Sequence, residues 1–211
     1  MIYNSKHNLI IGFHGCSEEE QHSLLNQPDK TKASSKPYDW LGHGIYFWEN
    51  NYNRALEWAQ AKQKRGEINK AAVVGAVLSL DYCLDLTDSS FINLLPTYYN
   101  LMSFEYGKFN KTLPANKNSK NDKYNDLIIR ELDCAVIEFM HQMIDEEIQK
   151  DYLSKGYSDL RHFDSARGLF TEGGPVFPDA GVQVKNHIQI CIRNTNCIKG
   201  FFLPRKEVKF P

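Results

Sequence analysis

Two glycine-rich stretches near the start of the chain decide how it folds: GFHGCS at residues 12–17 and GHGIYFW at residues 42–48. The apolar run NLIIGF at residues 8–13 predicts a short buried strand that ends at His14 and Gly15. The second stretch predicts a turn that leads into another short strand. Because glycine has no Cβ, a ligand can approach the backbone closely at both places.

The surrounding sequence predicts alternating helices and strands. Ser17 followed three residues later by Glu20 forms a capping box, which predicts a helix over residues 18–26. The continuous apolar run at 71–80 is typical of a buried strand. NHIQICIRN at 186–194 alternates strictly, which indicates a half-buried strand with a polar face.

The middle of the chain, roughly residues 85–155, is predicted to be a helical insertion. Pro96 should break or bend a helix within an aromatic segment at 88–106. The Lys- and Asn-rich stretch 107–126 predicts a mobile surface loop. Apolar residues at helical spacing then predict a long amphipathic helix over about 126–150.

Composition restricts the classes of protein to consider. The chain has 211 residues, 42% of them hydrophobic, which suits one domain with a substantial core over residues 1–211. A net charge of −1 favours neither a nucleic-acid coat nor a membrane-surface protein. Without an apolar run of about 18 residues or a signal peptide, we expect a cytoplasmic protein that does not engage the membrane.

The cysteines are expected to be reduced, structural thiols. There are five of them, without a C-x-x-C spacing. Cys191 and Cys197 lie six residues apart, with no His/Cys cluster nearby at ligand spacing. We therefore expect no metal site.

The two opening stretches together suit a planar ligand. His14 offers an imidazole next to an open backbone at Gly15, and Tyr46 can present a flat ring to a stacked heterocycle. A ribosylated planar heterocycle would fit these groups. On residue types alone, a plain glycine turn with Tyr46 in the core is the favoured interpretation, because short glycine motifs are weak signals.

The complete pattern is more informative. FHGCS, then a helix and a loop, then LGHGIYFWENNYNRALEWA resembles the nicotinamide-binding half of the ADP-ribosyltransferase superfamily. The likeness is to its branch with a His-Tyr-Glu triad, the poly(ADP-ribose) polymerase and diphtheria-toxin type, and it covers residues 9–60. Cys16 and Ser17 replace the usual Ser or Thr, and His43 stands where many relatives have Lys.

The resemblance implies that NAD is the substrate, with no metal involved. His14 would bond a ribose hydroxyl, Gly15 would hold the nicotinamide amide, and Tyr46 would stack on the nicotinamide ring. Trp40 or Tyr38 would close the other side of the ring, unless they are ordinary surface aromatics. The residues expected around NAD are, in chain order, His14, Gly15, Ser17, Trp40, Gly44, Tyr46 and Arg167.

The third triad position departs from the family. The family places Glu on a late strand, whereas the late strand here carries no acid, and Gln189 is its best match. A neutral amide can bond a hydroxyl but cannot supply a carboxylate's charge to a developing cation. Gln189 therefore predicts slower chemistry, a single transfer, or an acid from elsewhere. Glu172, in the glycine-flanked FTEGGP loop, is that candidate acid, and the alternative is a solvated turn carboxylate.

Two other residues keep two interpretations each. Arg167 could bind the NAD pyrophosphate, because arginine suits bidentate phosphate contacts, or it could pair with Asp164. His187 could shape the acceptor site or be a satisfied core imidazole.

The sequence thus predicts an α+β fold with a split, mostly antiparallel core of two small sheets, flanking helices and the helical insertion. The expected activity is mono-ADP-ribosyl transfer from NAD to a macromolecular acceptor, nucleic acid or protein. By analogy, a bacterial toxin or anti-phage effector with an antitoxin or inhibitor protein as partner would fit. NAD hydrolysis and a catalytically inactive module that binds ADP-ribose or a partner are the alternatives.

Overall fold

The computed structural model describes residues 9–120 and 122–206, which form an α+β fold around a seven-stranded sheet. The strands are β1 (Ile10–Ser17), β2 (Ile45–Glu49), β3 (Ala71–Leu78), β4 (Cys83–Asp85), β5 (Asn116–Lys117), β6 (Ile129–Arg130), β7 (Ser165–Phe170), β8 (His187–Ile192) and β9 (Ile198–Phe202). The α-helices are α1 (Glu18–Asn26), α2 (Tyr52–Lys64), α3 (Ser89–Ile92), α4 (Leu95–Lys108) and α5 (Glu131–Lys155).

The α+β class is confirmed, but the expectation of two small sheets needs correction. The strand order is β4-β7-β8-β2-β1-β3-β9 in one sheet, and β5 and β6 form a separate pair. β4 and β7 run parallel at one edge, and the other neighbours are antiparallel. The expectation of one domain over residues 1–211 extends to residues 1–8, 121 and 207–211, which lie outside the described part.

The sheet is nearly divided between β1 and β2. These strands pair only through Gly12 with Glu49 and Phe13 with Trp48, whereas β1 pairs with β3 along its entire length. Beyond Phe13 the end of β1 no longer pairs with β2. We call this unpaired stretch between β1 and β2 the gap. It lies between the end of the first glycine motif and the start of the second.

Both helices that flank this gap begin at a side-chain cap. α1 covers the expected residues 18–26, and the Ser17 hydroxyl accepts a hydrogen bond from the Glu20 N–H at 3.1 Å. The Asn51 side chain caps α2 by accepting from the Arg54 N–H at 3.0 Å. Each cap satisfies a backbone donor that the first helical turn leaves without a partner.

The helical insertion is confirmed as α3, α4 and α5 between β4 and β7. Pro96 lies in the first turn of α4, where its missing N–H costs no helical hydrogen bond. α5 starts at Glu131 rather than at 126, because Asn125 and Leu127 adopt positive φ angles that a right-handed helix cannot include. Gly156, at φ 78°, ends that helix.

The predicted loop at 107–126 follows the end of α4 and contains β5, which pairs with β6. Its Asp126 carboxylate accepts a hydrogen bond from the Gly173 N–H at 2.8 Å. This contact ties the loop to the segment that follows β7.

β8 is mostly buried on both faces, and on its predicted polar face Gln189 is only partly buried. Ile190 packs with Phe47 on one face, while Cys191 packs with Ile137 and other residues under α5 on the opposite face. No described helix combines the length and apolarity that crossing a membrane requires.

Candidate functional site

A cavity of about 880 Å³ lies at the gap between β1 and β2. Its volume falls within the range of ~300–1,000 Å³ that is usual for small-molecule sites. Segments far apart in the sequence contribute to its lining. Of the residues that the sequence analysis singled out for the site, those that line it are His14, Tyr38, Trp40, Gly44, Tyr46, Glu172, His187 and Gln189.

His14 and Tyr46 meet across the gap. The His14 Nδ1 lies 2.7 Å from the Tyr46 backbone carbonyl oxygen. A carbonyl can only accept, so Nδ1 carries a proton, and Nε2 is the nitrogen that holds the lone pair when the ring has a single proton. Nε2 lies 3.7 Å from the nearer Glu20 carboxylate oxygen, which is longer than a hydrogen bond.

The Tyr46 ring is fixed by its hydroxyl. The hydroxyl accepts from the Leu41 N–H at 2.9 Å and donates to the Gly42 carbonyl at 2.8 Å. Gly42 has a φ of 84°, so this is a turn that favours glycine. Burial holds the pKa of the Tyr46 phenol well above its usual range of about 10, so the group is a neutral hydrogen-bonding anchor.

Gln189 belongs to a chain of hydrogen bonds along the cavity. The Trp40 indole N–H donates to the Gln189 side-chain carbonyl at 2.6 Å, and the Gln189 amide lies 3.1 Å from His187 Nε2. His187 Nδ1 donates to the Lys185 backbone carbonyl at 2.7 Å. One of the two amide N–H groups of Gln189 suffices for His187, so the other can serve a ligand.

This chain requires a neutral His187. Burial lowers the pKa of His187 to about 4, and the residue is 5% exposed. The neutral tautomer that donates from Nδ1 must accept at Nε2, in agreement with the Gln189 contact. Of the two interpretations of His187, the structure supports the satisfied, buried imidazole.

Glu172 is not a solvated turn carboxylate. It is 7% exposed and forms an ion pair with Arg54, which also contacts Glu57 at 3.2 Å. The pair joins α2 to the segment that follows β7, and both of its members line the cavity. A buried carboxylate therefore lies in the same cavity as Gln189, held by a positive partner.

Sequence reasoning did not identify Arg54, Trp48 and Trp58 as site residues, yet all three line the cavity. Arg54 and Trp58 are four residues apart on α2 and therefore share one helix face. Trp48 lies in the second glycine motif itself, and its ring centroid is 6.0 Å from that of Trp58. Helical spacing from Trp58 could have identified Arg54.

Arg167 does not line the cavity, so the predicted contact of Arg167 with NAD does not fit this arrangement. Arg167 on β7 lies opposite Ile190 on β8, so the two side chains face the same side of the sheet. Gln189 is the neighbour of Ile190 on β8 and therefore faces the other side. The Arg167 guanidinium contacts Glu49 at 2.7 Å and Asp85 at 3.1 Å. The alternative ion pair of Arg167 with Asp164 is also absent from the described residues, because Glu49 and Asp85 bind the guanidinium instead.

Ser17 and Gly15 do not belong to the cavity lining. The Ser17 hydroxyl caps α1 instead of binding a ligand. A Cβ at Gly15 would lie 2.1 Å from the Ala55 carbonyl oxygen, so glycine is required for α2 to pack here. In an antiparallel strand, the backbone N–H and C=O groups of every second residue point towards the same neighbouring strand. The Ile11 carbonyl accepts a hydrogen bond from the Asn50 N–H, on the β2 side. The backbone groups of Gly15, four residues later, therefore also point to that side, towards the gap.

A second cavity, of about 690 Å³, lies between α4 and α5 and contains none of the predicted site residues. His141 lines it, and burial lowers the pKa of this residue to about 3.

Comparison of the chain with protein-family models, with curated proteins and with solved structures finds no significant match. The resemblance to ADP-ribosyltransferases therefore rests on the motifs of the sequence alone.

Proposed function

We propose that this protein is a mono-ADP-ribosyltransferase that uses NAD as substrate and a nucleic acid or protein as acceptor. One observation carries the proposal. His14, Tyr46 and Gln189 come from three separate segments, and all of them line a single cavity. Their positions in the three strands follow the order that the resemblance implies.

Each of the three side chains has a suitable free group or surface. Nε2 of His14 can accept a hydrogen bond from a ribose hydroxyl, and the second amide N–H of Gln189 can donate to one. The anchored ring of Tyr46 offers a flat surface to nicotinamide. Stacking of an aromatic side chain on a heterocyclic base contributes about 1–3 kcal/mol.

The reaction needs stabilisation of positive charge on the ribose. The glycosidic bond breaks, nicotinamide leaves with the bonding electron pair, and the acceptor attacks the anomeric carbon and loses a proton. Glu172 is the buried carboxylate of the cavity, and its negative charge would oppose the developing cation. Its ion pair with Arg54 must loosen, or Arg54 must turn to a phosphate of NAD, for the carboxylate to act.

The decisive experiment is incubation of purified protein and cell lysate with NAD labelled in the adenylate moiety. We expect the label to enter protein or nucleic acid, and the digestion of each class of macromolecule identifies the acceptor. His14→Ala should lose most turnover. Wild-type turnover in both His14→Ala and Tyr46→Ala would contradict the site assignment.

The same assay separates Gln189 from Glu172. Glu172→Gln keeps the shape of the side chain and removes its charge, whereas Gln189→Ala removes an uncharged amide together with its contacts to Trp40 and His187. If Glu172 supplies the charge, we expect Glu172→Gln to reduce turnover more than Gln189→Ala. The reverse order would assign the third triad role to Gln189 alone.

Two alternatives remain as outcomes of this assay. Release of free ADP-ribose and nicotinamide without labelled acceptor would identify an NAD glycohydrolase. Binding without turnover would identify an inactive module. An inactive module would fit a Glu172 that points to solvent, and the burial of Glu172 in the cavity favours a catalytic site instead.

A further inference from the structure

Three metal-binding side chains lie together at the junction of β1 and α1. One ligand atom from each of His14, Cys16 and Glu20 lies within 4.8 Å of the other two. We propose that these residues form a binding site for a zinc ion, with an open fourth position. Imidazole nitrogen, thiolate sulfur and carboxylate oxygen are all established zinc ligands.

The local fold brings these donors together. His14 and Cys16 are two residues apart on β1 and therefore point to the same face of the strand. Glu20 lies in the first turn of α1, which begins directly after Ser17 and returns the chain towards that face. Cysteine spacing in the sequence predicts no zinc site, because this set of one cysteine, one histidine and one glutamate comes together only where a strand continues into a helix.

His14 is already oriented as zinc-bound histidines are. Such histidines usually donate their second ring N–H to a carbonyl or carboxylate, which fixes the tautomer and aims the other nitrogen at the metal. Nδ1 of His14 makes this contact with the Tyr46 carbonyl at 2.7 Å. That bond lies outside the cluster, and it leaves the lone pair of Nε2 available, 3.7 Å from the Glu20 carboxylate.

The distances and the exposure of the groups suit a small cation. Bond lengths of about 2.0–2.3 Å at tetrahedral angles place zinc ligands about 3.3–3.8 Å apart. The Glu20 side chain is 53% exposed, so it can rotate to close the remaining distance. Cys16 is buried, and burial raises the pKa of its thiol to about 12. Zinc would bind the thiolate, and the thiol proton would pass to solvent.

The consequence for NAD rests on the proposed function. Nε2 of His14 is the nitrogen assigned to a ribose hydroxyl, so bound zinc would compete with NAD. Zinc binding itself depends on no enzymatic activity, and it can be measured on a protein that never turns over NAD.

The test uses Co²⁺ as a spectroscopic probe, under reducing conditions, with the complete protein. A cobalt–thiolate bond gives a charge-transfer absorption band in the near ultraviolet. We expect one Co²⁺ per chain with this band, and its disappearance when Zn²⁺ is added. Absence of the band at saturating Co²⁺ would overturn the proposal.

Variants locate the site. Cys16→Ser should lose the band, while Cys83→Ser, which removes a partly exposed thiol elsewhere, should keep it. Glu20→Gln removes a proposed direct ligand, so it should weaken Zn²⁺ binding by at least about tenfold, since even the loss of an outer partner of a zinc ligand costs about 10–100-fold. Because Glu20 is largely exposed, this variant should fold normally. A band that survives in Cys16→Ser, or a wild-type affinity in Glu20→Gln, would show that these residues do not hold the ion.

Discussion

The two sides of the main cavity differ in how completely their hydrogen-bonding groups are already used. On the β8 side, Trp40, Gln189 and His187 form a continuous chain that ends on a backbone carbonyl. On the β1 side, His14 uses only Nδ1, and its second nitrogen faces Glu20 beyond hydrogen-bond distance. The β8 side is therefore a preorganised support, and the β1 side keeps its reactive groups available to a ligand.

The Arg54–Glu172 ion pair connects the two sides, and breaking it should have the largest effect on stability. Glu172→Ala would leave a buried guanidinium without its main partner, at an expected cost of about 3–5 kcal/mol. Denaturant unfolding measures this cost. Glu57→Ala is the matched control, because Glu57 contacts the same arginine but is 55% exposed, and its loss should cost less than about 1 kcal/mol. Equal effects of the two variants would show that the pair does not join the two sides.

The pH dependence of stability tests whether the β8 side needs a neutral imidazole. Burial lowers the pKa of His187 to about 4, below the ordinary value of about 6.5. The unfolded chain therefore takes up this proton first as the pH falls, so the stabilisation is complete above about pH 6.5 and is lost between pH 6.5 and 4. The free energy of unfolding should fall by about 1.4 kcal/mol per pH unit from this residue.

His187→Gln should show a shallower dependence over the same pH window. His141, in the second cavity, contributes a similar slope and remains in the variant. Substitution of His22, an exposed residue of α1, is the control. Parallel curves for wild type and His187→Gln would contradict a neutral His187 in the folded state.

Two substitutions of Tyr46 distinguish the anchoring role of its hydroxyl from the stacking role of its ring. Tyr46→Phe loses two hydrogen bonds to the Leu41–Gly42 turn, and we expect a loss of about 1–3 kcal/mol in stability with little change in NAD affinity. Tyr46→Ala should in addition lose about 1–3 kcal/mol of NAD binding. Calorimetric titration with NAD distinguishes the two variants, and equal affinities would exclude a stacking role for the ring.

The smallest effect is expected at Arg167. This residue faces the opposite side of the sheet from Gln189 and contacts Glu49 and Asp85. Arg167→Met should therefore leave the KM for NAD within about twofold of wild type, since no contact with a ligand is lost. A tenfold increase in the KM for NAD would show that the Arg167 side chain contributes to NAD binding.

Much of the fold could be predicted because its signals are local. The α1 boundaries follow from the Ser17 cap, and the break before α4 follows from Pro96. The sequence predicts a start for α5 that is five residues too early, because the apolar spacing continues through residues 126–130. The left-handed backbone at Asn125 and Leu127 and the cap from the distant Asn116, which accepts from the Leu132 N–H at 3.0 Å, decide that boundary.

The candidate site likewise contains residues that local sequence signals identify and residues whose role depends on distant parts of the chain. His14, Tyr46 and Gln189 could be named from motifs and from strand alternation, because side chains on a strand point to alternate faces. Arg167 could not be judged, since the face of β7 depends on neighbouring elements. The role of Ser17 as a helix cap, by contrast, is visible in the sequence as a capping box and argues against its use as a ligand. The burial of Glu172 also depends on a partner more than a hundred positions away in the chain.

The amino-acid order alone set the identity and spacing of the two glycine motifs, the helix caps and the alternation of β8. Tertiary structure alone decided that β1 and β2 separate after two paired positions, and this gap creates the cavity. It also decided which charges meet inside, because hydrogen bonds and ion pairs between distant segments form only after the strands are in register. The physical reason is that backbone propensity acts over a few residues, whereas burial and charge pairing depend on the complete packed chain.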